Sequence, residues 1–571
     1  MQLRPKFYGK LTLDQAGNRW IITNTTPNVN LELKHIFRGI SLLQTERFTL
    51  DTSPYTTNRL AWFLQLYPME MSRADGKELK KMCKHFQKRL MDVEGVFVPD
   101  FKPPEYVGLK DDCELWDYQC QFVEMFRIVK NMLLGDDYGL GKTNQAIGAM
   151  LLPGMLPCAV VVEAHMPDQW KERIEEFSNL RVHIVKTVSA YTLPEADVYI
   201  FSYTKLKGWT DIAKGGFFKL VVYDEPQNLR TGDGTDKGGA ARKFSNAAEA
   251  TLGLTATPIM NYGIEMWIVM SYLAPGHLGT QAEFEREWCT SDGKTVKDPD
   301  ALGAYLRERQ VLLRRTEEDI DRAMPPSNVT THDIPFDEDE ARKSDELAVQ
   351  LAIQAITATD YIERGNAAMK LDTLERLRTG VAKARGVTAY VKILLEAGLP
   401  VLLSGWHRDV YDIFLKELGA YNPVFYTGSE TKLQKRKSKD AFVNGETNLM
   451  IISNRSGAGL DGLQYRCADV VIGELDWSPM VLKQLIARLR RYGQNHVVNA
   501  HYMICDGGSD PAMVEVLGVK ASQAHGVMNP YLQPQAVTND VSRIRKLAIS
   551  VLERNGVDVQ SLVKDKLAIA A

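Results

Sequence analysis

The chain has 571 residues, 44% of them apolar and 25% charged, with a formal net charge of −3, a composition that fits a soluble globular protein of roughly three or four domains. Without global basicity, any nucleic-acid binding must come from local patches. The seven cysteines are odd in number and no two have C-x-x-C spacing, which points away from zinc sites and disulfide scaffolds and toward a reducing compartment.

The N-terminus "MQLRPKFYGKLTLD" has no apolar core of a signal peptide, and no apolar run approaches the ~18 residues of a membrane span. The sequence therefore predicts an intracellular protein with no membrane partner. Residues 1–105 form a first region with 15 Lys+Arg against 10 Asp+Glu through residue 100. Its apolar stretch "RLAWFLQLYPMEMS" predicts the core of a small separate domain. "ELWDYQCQFVEMF" then reads as the start of an amphipathic helix. Apolar "NMLL" ends a predicted buried strand and leads into "GDDYGLGKTNQ", after which Ala146, Ile147, Met150 and Leu151 share a helical face.

Strand, glycine loop and helix are the parts of a phosphate cradle, although Asp136 stands where the first glycine of G-x-x-x-x-G-K-[ST] belongs. Gly139 and Gly141 let backbone N–H groups turn toward phosphate oxygens, and the helix N-terminus adds its dipole. Lys142 supplies a point charge, and the Thr143 hydroxyl can ligate Mg²⁺. Further on, "CAVVVEAHMPDQWKERIEEF" and "DVYIFSYTKL" each contain a predicted strand. "KLVVYDEPQNLR" ends an apolar run on Asp224, a candidate Mg²⁺ ligand, and Glu225, a candidate for polarising an attacking water. "LGLTATPIMNYGIEMW" follows, with Thr255 and Thr257 after another strand.

The combination D-D-Y-G-L-G-K-T, D-E-P-Q and L-T-A-T-P-I-M-N-Y-G-I-E-M-W resembles the Swi/Snf family of ATP-dependent DNA translocases within helicase superfamily 2. An Asp at the first loop position is normal in that family. The resemblance implies an α/β fold with two tandem RecA-like, P-loop NTPase domains, a helical brace and a small N-terminal accessory domain, using ATP and Mg²⁺. It implies nucleotide contacts from Tyr118, Gln119, Asp137, Gly139, Leu140, Gly141, Lys142, Thr143 and Gln484. It implies catalytic roles for Lys142, Asp224, Glu225 and Gln227, which stands where the family has His. Thr255 and Thr257 would couple nucleotide state to lobe closure, and Ser202 and Thr204 would touch DNA backbone.

Beyond the first lobe, "LLRRTEEDIDRAMPP" resembles the family's stretch connecting the lobes, and the charged, proline-free run to about 390 predicts a helical brace. In the second lobe, Thr427-Gly428-Ser429 resembles a phosphate-contacting turn. The basic run that includes Lys435 and Arg436 reads equally as a solvated helix face and as a DNA contact. Arg455 lies in "NRSGAGLDG", which resembles another family loop. "QLIARLRRYGQ" resembles Q-A-x-D-R-x-H-R-x-G-Q and places Arg488 and Arg491 three apart on one predicted helix face, as arginine fingers for the γ-phosphate.

The expected domains are 1–105 accessory, possibly DNA-binding; 106–325 first lobe; 326–390 linker and brace; 391–512 second lobe; and 513–571 helical tail. The wording of "ADVVIGELDWSPMVLKQLIARLRRYGQ" is similar to the small annealing-helicase branch. The expected activity is DNA-stimulated ATP hydrolysis driving translocation on duplex or branched DNA, sequence-blind and salt-dependent. A strand-separating helicase and a non-hydrolysing ATP-gated clamp are the alternatives. The compact plan predicts a bacterial or viral protein acting at the nucleoid or in host cytoplasm. Nothing in the sequence identifies a protein partner.

Overall fold

The computed structural model describes residues 7–514 and 543–557, apart from 15, 17, 38, 258–262, 321–324, 343–344, 358–360, 455–459 and 461. The described residues divide into two compact units, one ending at Ile320 and one taking up those beyond it.

The first unit begins with strands β1 (Lys10–Asp14), β2 (Arg19–Thr23) and β3 (Arg47–Asp51), an antiparallel sheet in that order. Strict alternation in β2 turns Trp20 and Ile22 to one buried face. Helices α1 (Pro27–Ile36), α2 (Pro54–Leu66) and α3 (Arg73–Glu94) complete that core with Val29, Leu33, Leu60, Phe63 and Leu79. The apolar stretch of the sequence thus lies in α2 as far as Leu66, with Leu60 and Phe63 fully buried while Trp62 and Leu66 face solvent.

The larger sheet of this unit has seven strands: β4 (Asn131–Leu134), β5 (Cys158–Val162), β6 (Val182–Ile184), β7 (Val198–Ser202), β8 (Leu220–Asp224), β9 (Ala250–Leu254) and β10 (Leu312–Leu313). All pairs are parallel, in the order β10-β4-β9-β8-β5-β7-β6. Every residue of β5, β7 and β9 is buried. That explains their unbroken apolar runs, because helices cover both faces of such a sheet. β8 and β9 lie between β4 and β5, so successive strands part there, and a crevice opens at the carboxyl ends of the strands. The glycine loop, Asp224-Glu225 and Thr255 all follow those ends.

The second unit holds a six-stranded parallel sheet in the order β11-β16-β15-β12-β14-β13. Its strands are β11 (Ser327–Asp333), β12 (Val401–Gly405), β13 (Val424–Tyr426), β14 (Leu449–Ser453), β15 (Asp469–Ile472) and β16 (Val498–Ile504). The stretch expected as linker and brace therefore opens with an edge strand of this sheet. It continues as helices Asp345–Thr357 and Tyr361–Glu396. The helix Arg543–Arg554 from the tail packs on these two through Ala548, Val551 and Leu552 against Ala348, Leu351, Ala352 and Leu371. Among the described residues no helix is long and apolar enough to cross a membrane.

Candidate nucleotide-binding site

The glycine loop joins β4 to helix α4 (Lys142–Met150). Gly139 and Gly141 have φ of +83° and +69°, the left-handed region that glycine enters without penalty. At Gly141 a Cβ would also stand 2.5 Å from Gln119 Nε2. Lys142 Nζ donates to the carbonyls of Asp136 at 2.7 Å and Asp137 at 3.1 Å. Burial lowers its pKa, and the nearby Glu225, Asp136 and Asp137 carboxylates oppose that shift.

Asp136 explains the missing glycine. Its carboxylate is fully buried and is gripped by Arg315, with Nη2–Oδ2 at 2.5 Å, Nε–Oδ1 at 3.1 Å and the Arg315 backbone N–H to Oδ1 at 3.0 Å. Gln145 Nε2 donates to Oδ2 at 3.0 Å, and Gln145 Oε1 accepts from Arg315 Nη2 at 2.6 Å. Arg315 also donates to the Tyr118 carbonyl, and its guanidinium lies 4.9 Å from the Tyr118 ring centroid. One buried bidentate ion pair thus fastens the root of the loop to the strand beside it and to the segment carrying Tyr118 and Gln119. Next to it, Asp137 Oδ2 lies 3.4 Å from Arg314 Nη2.

Tyr118 OH and Gln119 Nε2 both donate to the Leu140 carbonyl, at 2.9 and 3.3 Å. Gln119 Oε1 accepts from the Trp116 backbone N–H at 3.1 Å and caps the following helix. These two residues therefore brace the back of the loop.

At the end of β8, Asp224 accepts from Trp170 Nε1 at 2.8 Å through Oδ2. Glu225 has φ 54°, ψ 62°, an uncommon conformation for a residue with a Cβ, costing on the order of 1–3 kcal/mol and typical of functional sites. Its Oε2 accepts from Thr255 Oγ1 and from Gln227 Nε2, both at 2.6 Å. The Thr255 hydroxyl in turn accepts from the Thr257 backbone N–H at 2.9 Å. Burial raises the pKa of both carboxyls, and at Asp224 the charge of Glu225 adds to the shift, carrying it to about 7. Two acids held against their own ionisation beside Lys142 suit a divalent cation, whose charge would offset both costs. Thr143, in the first turn of α4, and Asp224, at the end of β8, are the candidates to hold one.

Glu225, Gln227, Thr255 and Thr257 thus form one hydrogen-bonded chain, and Lys142 interacts electrostatically with it. Three residues with no role assigned from sequence join them. Trp170 reads as packing in the sequence, yet a Trp three positions past a helix-opening proline, buried beside a strand-end acid, needs an acceptor for its N–H. Arg315 and Gln145 had one available signal: an Asp directly after an apolar strand must be paired if buried. At the end of β7, Ser202 is buried and lies 3.1 Å from the exposed Thr204 hydroxyl.

In the second unit, the helix expected to carry Arg488 and Arg491 on one face does not reach them. It spans Pro479–Ile486, and the chain continues in turns to Gly493, at φ +89°. Backbone N–H groups of Arg488 and Leu489 reach back only three residues, to Leu485 and Ile486, which tightens the helix end ahead of both arginines. Arg488 is buried, and Arg491 donates to the carbonyls of Ala487 at 2.8 Å and Leu460 at 3.2 Å. Gln484 is half-buried on the helix. Thr427 is 2% exposed and donates to Glu430, so of its turn only Gly428 and Ser429 face solvent. Lys435 Nζ sits 5.2 Å from the Tyr426 ring centroid, and Arg436 is exposed. Arg455 lies outside the described residues.

The sequence model of the family described as SNF2-related domain matches residues 55–382, more than half of the chain. The chain belongs to the SNF2-related family. It is 25% identical over 423 residues to the bovine (Bos taurus) "DNA annealing helicase and endonuclease ZRANB3", covering 70% of this chain and 39% of that protein. It is 23% identical to the Drosophila melanogaster "SWI/SNF-related matrix-associated actin-dependent regulator of chromatin subfamily A-like protein 1", covering 84% of this chain and 67% of that one. Among solved structures, the "Sulfolobus solfataricus SWI2/SNF2 ATPase core in complex with dsDNA" aligns at 22% identity and a TM-score of 0.38, over 74% of this chain and 94% of that one. The SNF2-related chain spans about two fifths of the length of the ZRANB3 proteins it matches.

Proposed function

We propose that this chain is an ATP-dependent DNA translocase of the Swi/Snf type that acts on duplex or branched DNA, remodelling forks or annealing strands. The observation that carries the reading is Glu225: a strained carboxylate on the end of β8, tied through Oε2 to Thr255 and Gln227, electrostatically linked to Lys142 and adjacent to Asp224. Bound Mg²⁺ supplies charge neutralisation at the β/γ-phosphates when present. The loop N–H groups and Lys142 would cradle the phosphates and Thr143 and Asp224 would hold the cation, while Trp170 orients the Asp224 carboxylate by donating to its Oδ2. Glu225 Oε1 orients and deprotonates the attacking water. Because Thr255 bonds the same carboxylate, a change at the phosphates is felt at Thr257 and along its strand end.

Arg488 and Arg491 are proposed to complete the site from the second unit. Ser202, Thr204, Thr427, Gly428, Ser429, Lys435, Arg436 and Arg455 are proposed to meet DNA backbone, and Tyr118, Gln119 and Gln484 to border the base. The domain boundaries expected from the sequence are proposed with them, except that β11 (Ser327–Asp333) belongs to the second sheet rather than to a linker. For residues 1–105 a DNA-binding role is supported by α3, where exposed Lys77, Lys81, Lys84 and Lys88 recur every three or four residues along one face. The names of the relatives, annealing helicases among them, agree with this reading.

The test is steady-state ATPase activity with single-stranded, duplex and forked DNA side by side, with triplex displacement run beside a tailed-duplex unwinding assay. Duplex- or fork-stimulated turnover, abolished in Lys142→Ala, together with triplex displacement supports the proposal. Strand separation on the tailed duplex would make it a helicase instead, and DNA-insensitive phosphate release would sink both.

A further inference from the structure

Tyr203 stands between two features of the first unit. It follows β7 directly, at the start of a 3-10 turn (Tyr203–Trp209). Ser202 before it and Thr204 after it are the residues proposed to meet DNA backbone. Thr204 faces solvent, whereas Tyr203 is 5% exposed and points inward. The sheet order β8-β5-β7 leaves β5 between its strand and the strand that ends in Asp224.

The phenol crosses that gap. Tyr203 OH donates to the Asp224 carbonyl at 2.9 Å and lies 3.4 Å from the Glu225 carbonyl. β5 pairs with β8 only as far as Val161 and Tyr223, so beyond that point the hydroxyl takes the place of a strand partner. The Tyr223 ring steadies the Tyr203 ring, 6.4 Å away centre to centre and 22° from parallel.

The two carbonyls flank the strained residue. The rotations φ and ψ at Glu225 are set by the peptide plane before it, which carries the Asp224 carbonyl, and the plane after it, which carries the Glu225 carbonyl. On the first plane the Glu225 N–H also donates to the Leu254 carbonyl at 2.8 Å. On the second, Asn228 donates to the Glu225 carbonyl through its backbone N–H and Nδ2, both at 3.0 Å. Of these partners Tyr203 alone touches both planes, and it alone adjoins Ser202 and Thr204. The backbone at φ 54°, ψ 62° is unfavourable for a residue with a Cβ, so it holds only while such bonds hold it.

We propose that Tyr203 is a positioning residue that makes the Glu225 carboxylate answer to DNA, an inference that rests on the translocase reading. A phosphate held at Ser202 and Thr204 fixes the backbone on both sides of Tyr203. The tyrosine side chain has only two rotatable bonds, so fixing that backbone fixes the hydroxyl. The hydroxyl in turn fixes the two peptide planes that aim Glu225 at the attacking water. DNA favours this geometry to the extent that it binds the fixed backbone better than the relaxed one. The stake is large, because a misplacement of about 1 Å at a reacting centre can cost about 10²-fold in rate.

The experiment compares two variants of the full chain by steady-state ATPase activity with and without duplex DNA. Tyr203→Phe removes the hydroxyl and keeps the ring. Tyr223→Phe is its match, because that hydroxyl is also buried but serves the Ala241 carbonyl and Ser245 Oγ, each at 2.9 Å. In Tyr203→Phe the DNA-stimulated kcat should fall about 10–100-fold. KM for ATP and the DNA concentration giving half-stimulation should stay within a few-fold of wild type, and Tyr223→Phe should keep the wild-type stimulation. Should Tyr203→Phe fail to fold, hydrogen exchange in wild type decides: duplex DNA should slow exchange in peptides covering 223–229, and unchanged exchange overturns the inference. Full stimulation in Tyr203→Phe, or an equal loss in Tyr223→Phe, overturns the inference and leaves the translocase reading standing. Wild-type turnover that DNA does not raise sinks both.

Discussion

At the scale of single residues, the site is a set of side chains each held by a partner that limits its freedom. Glu225 is the clearest case, because its backbone strain is maintained by hydrogen bonds that also fix its carboxylate. Glu225→Gln keeps the size and the Thr255 contact but removes the proposed base. Turnover should fall on the order of 10²–10⁴-fold while nucleotide binding, read by a fluorescent analogue, stays within a few-fold of wild type. Wild-type hydrolysis in this variant would mean another group is the base. Arg315 makes the converse case, since its role is structural and its partner is fully buried. Arg315→Ala leaves Asp136 as an unpaired buried carboxylate, and a drop of about 3–5 kcal/mol in urea unfolding is expected. A drop under about 1 kcal/mol would show that the pair is dispensable.

At the scale of elements, the strands of the first unit decide where chemistry can occur. β4, β8 and β9 are neighbours in the sheet though far apart in sequence, and their carboxyl ends bring Lys142, Asp224 and Thr255 into one crevice. α3 works by repetition: four lysines on one exposed face form a row of point charges spaced along the helix. Replacing Lys77, Lys81 and Lys84 together with Ala should lower duplex affinity at low salt. It should also flatten the slope of log K against log salt by about 2.7, at about 0.9 for each phosphate no longer neutralised. An unchanged slope would place the DNA elsewhere.

Much at this scale was legible in the sequence. The glycine loop, the acidic pair and the apolar parallel strands announce themselves through residue type and run length. The end of the helix before Arg488 does not, because Leu485 to Leu489 keep helical spacing and only the backbone bonds of the following turn stop it. The pairing of Asp136 with Arg315 was equally hidden, since 179 residues separate them.

At the scale of the whole molecule, the proposed division of labour between two units makes a prediction that neither unit makes alone. If the second unit supplies the γ-phosphate arginines, Arg491→Ala should abolish DNA-stimulated turnover. Nucleotide binding, proposed to rest on the first unit, should remain within a few-fold of wild type. Binding that falls in step with turnover would mean Arg491 acts through folding of its own unit. The sequence by itself determined the family and the identities of the phosphate-loop, acidic-pair and threonine residues, because those depend on local patterns that a strand, a loop and a helix start impose on neighbouring positions. Only the tertiary structure decided which side chains hold Asp136, Asp224 and Glu225 in place. Sheet order and burial make those contacts, and both are settled by packing between segments that carry no mark of each other.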